Sequence, residues 1–243
     1  MKKLNNIIGF TLLLSFVNIS NAEKAPFESS YEPLPSTNTI FRNANIYDGD
    51  GNEFNETDLL IKDGKIIAIG KDLPGSSDFI EIDATNKWIT PGIIDIHSHM
   101  GVYSAPSVSS SSDGNEATSP VTADVWAEHS IWTQDPQFAL ALKGGVTTFH
   151  VLPGSANLIG GRGVTAKNVQ RNTINSMKFP NAPHTLKMAC GENPKRVYGN
   201  RKQAPSTRMG NIAGYRKAWI DAESYLSRLD EYDSKSDEAK EIG

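Results

Sequence analysis

Cysteine and long apolar runs are scarce in this sequence, and neither sign of charge forms a block. One cysteine in 243 residues, Cys190, excludes an internal disulfide framework and any metal site built from several cysteines. Beyond the N-terminus, no apolar stretch approaches the roughly 20 residues that span a bilayer. The first 22 residues carry two lysines and no acid, which leaves 22 basic and 28 acidic residues and argues against a nucleic-acid partner.

The N-terminus has the pattern of an export signal. Lys2 and Lys3 precede an apolar run over residues 7–19, and Ser20-Asn21-Ala22 supplies the small residues of a cleavage site. The sequence therefore predicts a signal peptide over residues 1–22, cut after Ala22. We expect a periplasmic or secreted protein that is free of the membrane after cleavage. Residues 23–38, rich in Pro, Ser and Glu, are interpreted as an extended linker.

Short strands with turn residues between them are predicted from residue 39 to residue 91. The strongest signal is Asp63-Gly64, which separates two apolar runs at residues 57–62 and 65–69. Asp-Gly between such runs favours a two-residue β-hairpin turn, because both residues tolerate positive φ. The pattern predicts a small all-β unit over this range.

After Pro91-Gly92 the pattern changes to that of an α/β protein over residues 92–243. Near-continuous apolar runs alternate with loops and with helical stretches, which predicts buried strands of βα units in a parallel sheet. A long Ser-rich loop, residues 101–120, follows the first of these strands. The three predicted strands are Ile93–His99, Val146–Leu152 and Thr185–Cys190.

The segment His97-Ser98-His99 is the sharpest chemical feature. In a strand, residues two apart point to the same face, so both imidazoles should project together from the carboxyl end of the first buried strand. Two neutral imidazoles at this spacing can chelate one divalent metal ion. The alternative is a pair of solvent-facing histidines at a strand end.

The stretch Pro91-Gly92-Ile93-Ile94-Asp95-Ile96-His97-Ser98-His99 resembles the first-strand motif of the metal-dependent amidohydrolase superfamily. The resemblance is to its imidazolonepropionase-like and N-acetylglucosamine-6-phosphate deacetylase-like branches. Asp63-Gly64-Lys65-Ile66 and Gly144-Gly145-Val146-Thr147-Thr148 are similar to other parts of that pattern. The resemblance implies the first three strands of a (β/α)8 TIM-like barrel after a small urease-type β-sandwich. It also implies one or two divalent metal ions, with zinc expected.

The same resemblance suggests a third metal ligand beside His97 and His99. Glu192 follows the third predicted strand, where the deacetylase-like branch places a ligating glutamate. A carboxylate that caps the turn beside Asn193-Pro194 is the alternative. Lys187 is an alternative, as a carboxylated, metal-bridging lysine, but a structural or pocket role is favoured because relatives place that lysine on the fourth strand.

Candidate substrate contacts are His150, Arg162 and Asn193. His150 closes the second predicted strand, and Asn193 adjoins Glu192. Arg162 belongs to residues 157–163, which we interpret as a glycine-rich loop at the barrel mouth. This loop leaves a nucleotide-binding α/β protein as a minor alternative, although it lacks the phosphate-loop spacing.

The resemblance implies an exported metal-dependent hydrolase that uses metal-activated water on amide, cyclic amide or dipeptide-like C–N bonds of a small molecule. Its proton-shuttle Asp belongs to the eighth strand and is expected beyond residue 243. The chain is therefore interpreted as the N-terminal part of an enzyme that is inactive alone. The alternative is a non-catalytic exported binding module that retains the fold without the metal chemistry.

Overall fold

The computed structural model describes residues 27–235, which form two β-sheets and three α-helices. The predicted signal peptide and its cleavage site lie outside the described residues, as do residues 23–26 of the predicted linker. The elements, in chain order, are β1 Thr39–Tyr47, β2 Glu53–Lys62, β3 Lys65–Gly70, β4 Ile80–Asp83, β5 Trp88–Ile89, β6 Ile93–Ser98, α1 Pro136–Lys143, β7 Val146–Val151, β8 Ile159–Lys167, β9 Thr185–Met188, α2 Glu192–Asn200 and α3 Arg208–Asp233.

The first sheet has the strand order β3-β2-β1-β4, and β5 also pairs with β1. Asp63 and Gly64 both have positive φ, 50° and 72°, and join β2 to β3 in the predicted hairpin. Ala44, Ile46 and Leu59 are buried at the centre of the sheet. The β-sandwich stays a prediction, since residues 27–235 supply one layer, whose edge strands β3 and β4 carry exposed isoleucines.

The second sheet has the order β6-β7-β8-β9. β6 and β7 are parallel, as predicted, but β8 is antiparallel to both of its neighbours, β7 and β9. The first two predicted strands, β6 and β7, are therefore adjacent. The third, β9, runs in the same direction as β7 but is separated from it by β8. The predicted parallel sheet is thus interrupted by one strand that the sequence pattern did not indicate.

The prediction of a loop over residues 157–163 is wrong, because β8 begins at Ile159. The glycines there allow close approach of other chain segments. A Cβ on Gly161, whose φ is +113°, would lie 2.5 Å from the carbonyl oxygen of Val125. Glycine inside a strand often marks such an approach, and without it the segment could not pack here. The nucleotide-binding alternative depended on a loop at residues 157–163 and therefore has no structural support.

Helix α1 connects β6 to β7 and covers one face of the second sheet. Asp135 caps it by accepting a hydrogen bond from the Gln137 N–H, and Pro136 occupies its first turn. Phe138 of α1 stacks on Phe149 of β7 with ring centroids 5.0 Å apart. This contact belongs to a buried cluster that also holds Val102, Ala127, Val151, Val164, Ala166 and Met177.

The long Ser-rich loop is held by side chains from segments that follow β7 in the chain. Asn157 Nδ2 donates to the carbonyl oxygens of Glu116 and Ser119, and the Tyr198 hydroxyl donates to Ser119 as well. Asn157 lies just before β8 and Tyr198 lies on α2. The loop is therefore tied to the elements that follow β7.

The described part of the predicted linker is extended and lies against the second sheet. Ser29 Oγ donates to the Lys178 carbonyl, and the Ser30 N–H donates to the Asn175 carbonyl. Lys178 Nζ donates to the carbonyl oxygen of Phe27 at 2.7 Å. Residues 27–34, hereafter the N-terminal arm, are thus bonded to the body of the protein.

Helix α3 contacts the sheet only near its start. The Tyr215 hydroxyl donates to the Ala189 carbonyl, whereas Trp219, Ile220 and Leu226 further along are exposed. Within residues 27–235, no helix combines the length and apolar character that crossing a membrane requires.

Candidate metal centre

The two histidines of the predicted metal pair meet at the carboxyl end of β6. Their ring centroids are 5.2 Å apart, and the ring planes are nearly perpendicular at 85°. His97 is exposed and His99 is half-buried. The strand alternation therefore brings the imidazoles together, as two ligands of a single ion require.

Contacts of His99 determine which ring nitrogen faces outward. Nδ1 lies 2.8 Å from the carbonyl oxygen of Leu152, just after β7. A carbonyl can only accept, so Nδ1 carries the proton and Nε2 keeps a free lone pair in the neutral ring. Metal-binding histidines are commonly oriented by such a bond to the other nitrogen. The edge of the Tyr103 ring packs against His99 at a centroid distance of 5.6 Å.

His97 lies beside a lysine of β9. Lys187 Nζ is 3.3 Å from His97 Nε2, and Asp95 accepts the backbone N–H of His97. The pKa of His97 is lowered, first by the Lys187 charge, then by burial and by His99, against an opposing effect of Asp95. Burial also lowers the pKa of Lys187. A lowered pKa keeps His97 neutral near pH 7, the form that binds metals.

Glu192 is not brought to the histidines. It is the first residue of α2, is exposed, and pairs with Arg196 at 3.1 Å. Across residues 27–235, no three His, Cys, Asp or Glu side chains form a group that could hold a metal ion. The described residues thus fit two positions of a metal site, and the role of Glu192 as a ligand stays a prediction.

The predicted substrate residues make local contacts. His150 bonds to two hydroxyls, with Nδ1 at 2.9 Å from Thr165 and Nε2 at 2.7 Å from Thr185. Its pKa is lowered, mainly by burial and then by His184 and His97. Arg162 lies over the Trp126 ring at 4.4 Å, and Asn193 donates to Ser155. Their contact with a substrate stays a prediction.

A cavity of about 390 Å³ lies between the loops that follow β6 and β7. Its wall includes Val102, directly before Tyr103, and Pro153, directly after Leu152, and Tyr103 and Leu152 both contact His99. The cavity is thus at the same end of the sheet as the histidine pair. Other residues of its lining are Asp113, Asn115, Trp126 and His129.

Three features around the pair were missed or underrated at the sequence level. Lys187, for which a structural or pocket role is predicted, lies beside His97, and Tyr103 and Leu152 contact His99. Tyr103 stands four residues after His99, and Leu152 ends the next predicted strand. Both could have been found by asking which residues the carboxyl ends of adjacent parallel strands bring together.

Comparison with known proteins gives matches over most of the chain, although no protein-family model matches it. The chain is 34% identical to an amidohydrolase named tasK from Hapsidospora irregularis over 224 residues, which is 87% of this chain and 22% of that protein. It is 44% identical to a dihydroorotase from Ligilactobacillus salivarius over 63 residues, 25% of this chain and 14% of the relative.

A solved structure extends the similarity to the fold. The crystal structure of an amidohydrolase from Thermotoga maritima matches with a TM-score of 0.73 and 37% sequence identity. The match covers 84% of this chain and 54% of the Thermotoga chain. The chain thus spans about half of that solved structure and about a fifth of the Hapsidospora relative.

Proposed function

Because this chain belongs to the amidohydrolase superfamily, we propose that it is part of an exported, metal-dependent hydrolase that acts on C–N bonds of small molecules. Amide, cyclic amide and dipeptide-like compounds are the substrate class. The observation that carries the proposal is the convergence of His97 and His99 at the carboxyl end of β6, where α/β barrels hold their active sites.

The residues of this chain would hold the ion and orient the pair. His97 and His99 would bind through their Nε2 atoms, and the Leu152 carbonyl keeps the proton of His99 on Nδ1. Lys187 must move away from His97 Nε2 when an ion binds there. A divalent metal such as zinc supplies activated water and polarises the scissile carbonyl when bound.

The cavity beside the pair supports a small-molecule substrate. Its volume of about 390 Å³ is in the range of ligand sites, and its lining combines an aromatic ring with polar side chains. His150, Arg162 and Asn193 remain the proposed substrate contacts.

Exposed apolar surface supports a further element of the proposal, that additional polypeptide completes the site. Within residues 27–235, β6 pairs with β7 alone, and its Ile96 side chain is 77% exposed. Ile93 and Ile94 are exposed as well. An apolar edge strand of this kind is normally covered. The remaining ligands and the proton-shuttle Asp are proposed to come with that polypeptide.

Export is proposed from the N-terminal sequence alone. Expression with residues 1–22 in a bacterial host, followed by N-terminal sequencing of the periplasmic fraction, should give a mature chain beginning at Glu23. Recovery of the uncut chain in the cytoplasm would contradict export without affecting the metal site.

The metal site is tested by titration of the purified chain with Zn²⁺ and with Co²⁺ in a calorimeter. His97→Ala and His99→Ala should each weaken binding at least about tenfold, because each removes one of two converging ligands. His129→Ala is the control, since His129 lies outside the pair and should bind as the wild type does.

Glu192→Gln extends the same titration to the predicted third ligand. Weaker binding in this variant would show that Glu192 moves to the ion. Wild-type affinity in both His97→Ala and His99→Ala would overturn the proposal. A chain that binds neither metal would favour the non-catalytic binding module.

A further inference from the structure

We infer that Asp135, a buried residue outside the histidine motif, positions His99 by holding the loop between them. The part of this inference that concerns metal affinity rests on the proposed function. The part that concerns the orientation of the imidazole ring does not.

Asp135 is 1% exposed and accepts hydrogen bonds from four N–H groups. Its Oδ2 accepts from the Gly101 N–H at 3.0 Å and from Gln137 Nε2 at 2.9 Å. Its Oδ1 accepts from the Gln137 N–H at 2.9 Å and from the Ala105 N–H at 3.3 Å. One carboxylate therefore joins the first turn of α1 to both ends of residues 101–105.

The chemistry of the site requires a carboxylate. All four partners are donors, and an ionised carboxylate offers two accepting oxygens and no donor. An asparagine would accept through one oxygen only and would turn its own NH₂ group towards other N–H groups. Helix capping alone needs only the bond to Gln137.

The loop held by Asp135 carries the ring that contacts His99. The His99 carbonyl accepts from the Tyr103 N–H at 3.0 Å, and Gln137 Nε2 donates to the Tyr103 carbonyl at 2.8 Å. Tyr103 is thereby fixed from both sides of its backbone, with its ring edge against the His99 ring.

The opposite side of His99 is fixed by β7. Its Nδ1 bonds to the Leu152 carbonyl, so the ring is held between that oxygen and the Tyr103 ring. Loss of Asp135 removes its bonds to the Gly101 and Ala105 N–H groups and so loosens the Tyr103 side only. The ring then gains rotational freedom, and its Nδ1–H bond to Leu152 opens more often.

The experiment follows the His99 ring by NMR in the metal-free chain. The Nδ1–H of His99, assigned with His99→Gln, should give a slowly exchanging signal in the wild type. Asp135→Ala should broaden or remove this signal. Asn168→Ala is the matched control, because Asn168 is also buried and joins α1 to β7 through the carbonyls of Phe138 and Val146, away from the loop.

A milder variant guards against global unfolding. Gln137→Ala removes only the contacts of one side chain, to Tyr103 and to Asp135. It should leave the fold intact and increase exchange of the His99 signal in the same direction as Asp135→Ala. Unchanged exchange in Gln137→Ala and Asp135→Ala, or equal loss of the signal in Asn168→Ala, would overturn the inference.

Metal titration gives the second readout. Asp135→Ala should weaken Zn²⁺ binding about tenfold relative to Asn168→Ala, as removal of orienting contacts around ligands commonly does. Equal affinities in these two variants would contradict the inference. Absence of binding in the wild type would instead refute the proposed function, while the NMR result would still decide the role of Asp135.

Discussion

Lys178 and Glu128 form an ion pair that is hidden from solvent and holds the N-terminal arm. Lys178 Nζ lies 2.7 Å from Glu128 Oε1, with the two side chains 6% and 1% exposed. Lys178 also donates to the Phe27 carbonyl of the arm, whereas Glu128 Oε2 has no hydrogen-bond partner. Loss of Lys178 therefore removes the hydrogen bond that Glu128 Oε1 accepts, whereas loss of Glu128 leaves Lys178 its bond to the Phe27 carbonyl.

Replacement of Lys178 by methionine leaves the Glu128 carboxylate buried without its cation. Breaking a buried pair in this way costs about 3–5 kcal/mol, a large part of the roughly 5–15 kcal/mol that stabilises a domain. With a urea dependence of about 2 kcal/mol per M, the unfolding midpoint should fall by about 2 M. Glu128→Gln should cost less, because Lys178 keeps the Phe27 carbonyl and gains the amide oxygen of Gln.

Urea unfolding followed by circular dichroism measures these changes. Lys217→Met is the control, since Lys217 forms an exposed pair with Asp221 at 2.7 Å that should contribute less than about 1 kcal/mol. The double variant Glu128→Leu/Lys178→Met should be more stable than Lys178→Met, because it buries no unpaired charge. The reasoning is refuted if Lys178→Met unfolds at the same urea concentration as Lys217→Met, or if the double variant is the less stable.

Two further predictions concern pH and close packing. Since burial lowers the pKa of native His150 below its ordinary 6.5, the unfolded state takes up the proton first as the pH falls below this value. The free energy of unfolding should therefore decrease as the pH decreases below 6.5. His150→Gln should make this pH dependence weaker, and an equal pH dependence in both proteins would contradict the prediction. Gly161→Ala should destabilise more than Gly51→Ala, by about 1–3 kcal/mol, because both glycines have positive φ but only Gly161 lies against the Val125 backbone. Equal unfolding midpoints would exclude this steric effect.

Local signals in the sequence were reliable where neighbouring residues decide the backbone. Asp63-Gly64 forms the predicted hairpin because both residues accept positive φ. The approach of His97 to His99 agrees with the side-chain alternation predicted for the end of β6. Each of these features depends on residues within a few positions of one another.

The glycines of residues 157–163 led to a wrong prediction at β8. Residues 157–163 were interpreted as a loop because glycine usually interrupts strands, but Gly161 here permits contact with Val125, 36 positions earlier in the chain. For Lys187 a structural or pocket role was predicted, but its contact with His97, 90 positions away in sequence and 3.3 Å from its ring nitrogen, was not. No residue pattern within either segment indicates that Gly161 contacts Val125 or that Lys187 contacts His97.

The sequence by itself determined the Asp63-Gly64 hairpin, the strands β6 and β7, and the proximity of His97 to His99, because φ preference and side-chain alternation act over a few residues. The tertiary structure alone decided which groups surround that pair. The Leu152 carbonyl, Lys187 and the buried Asp135 reach His97 and His99 or their loop only after strand pairing and the α1 crossover bring distant segments together.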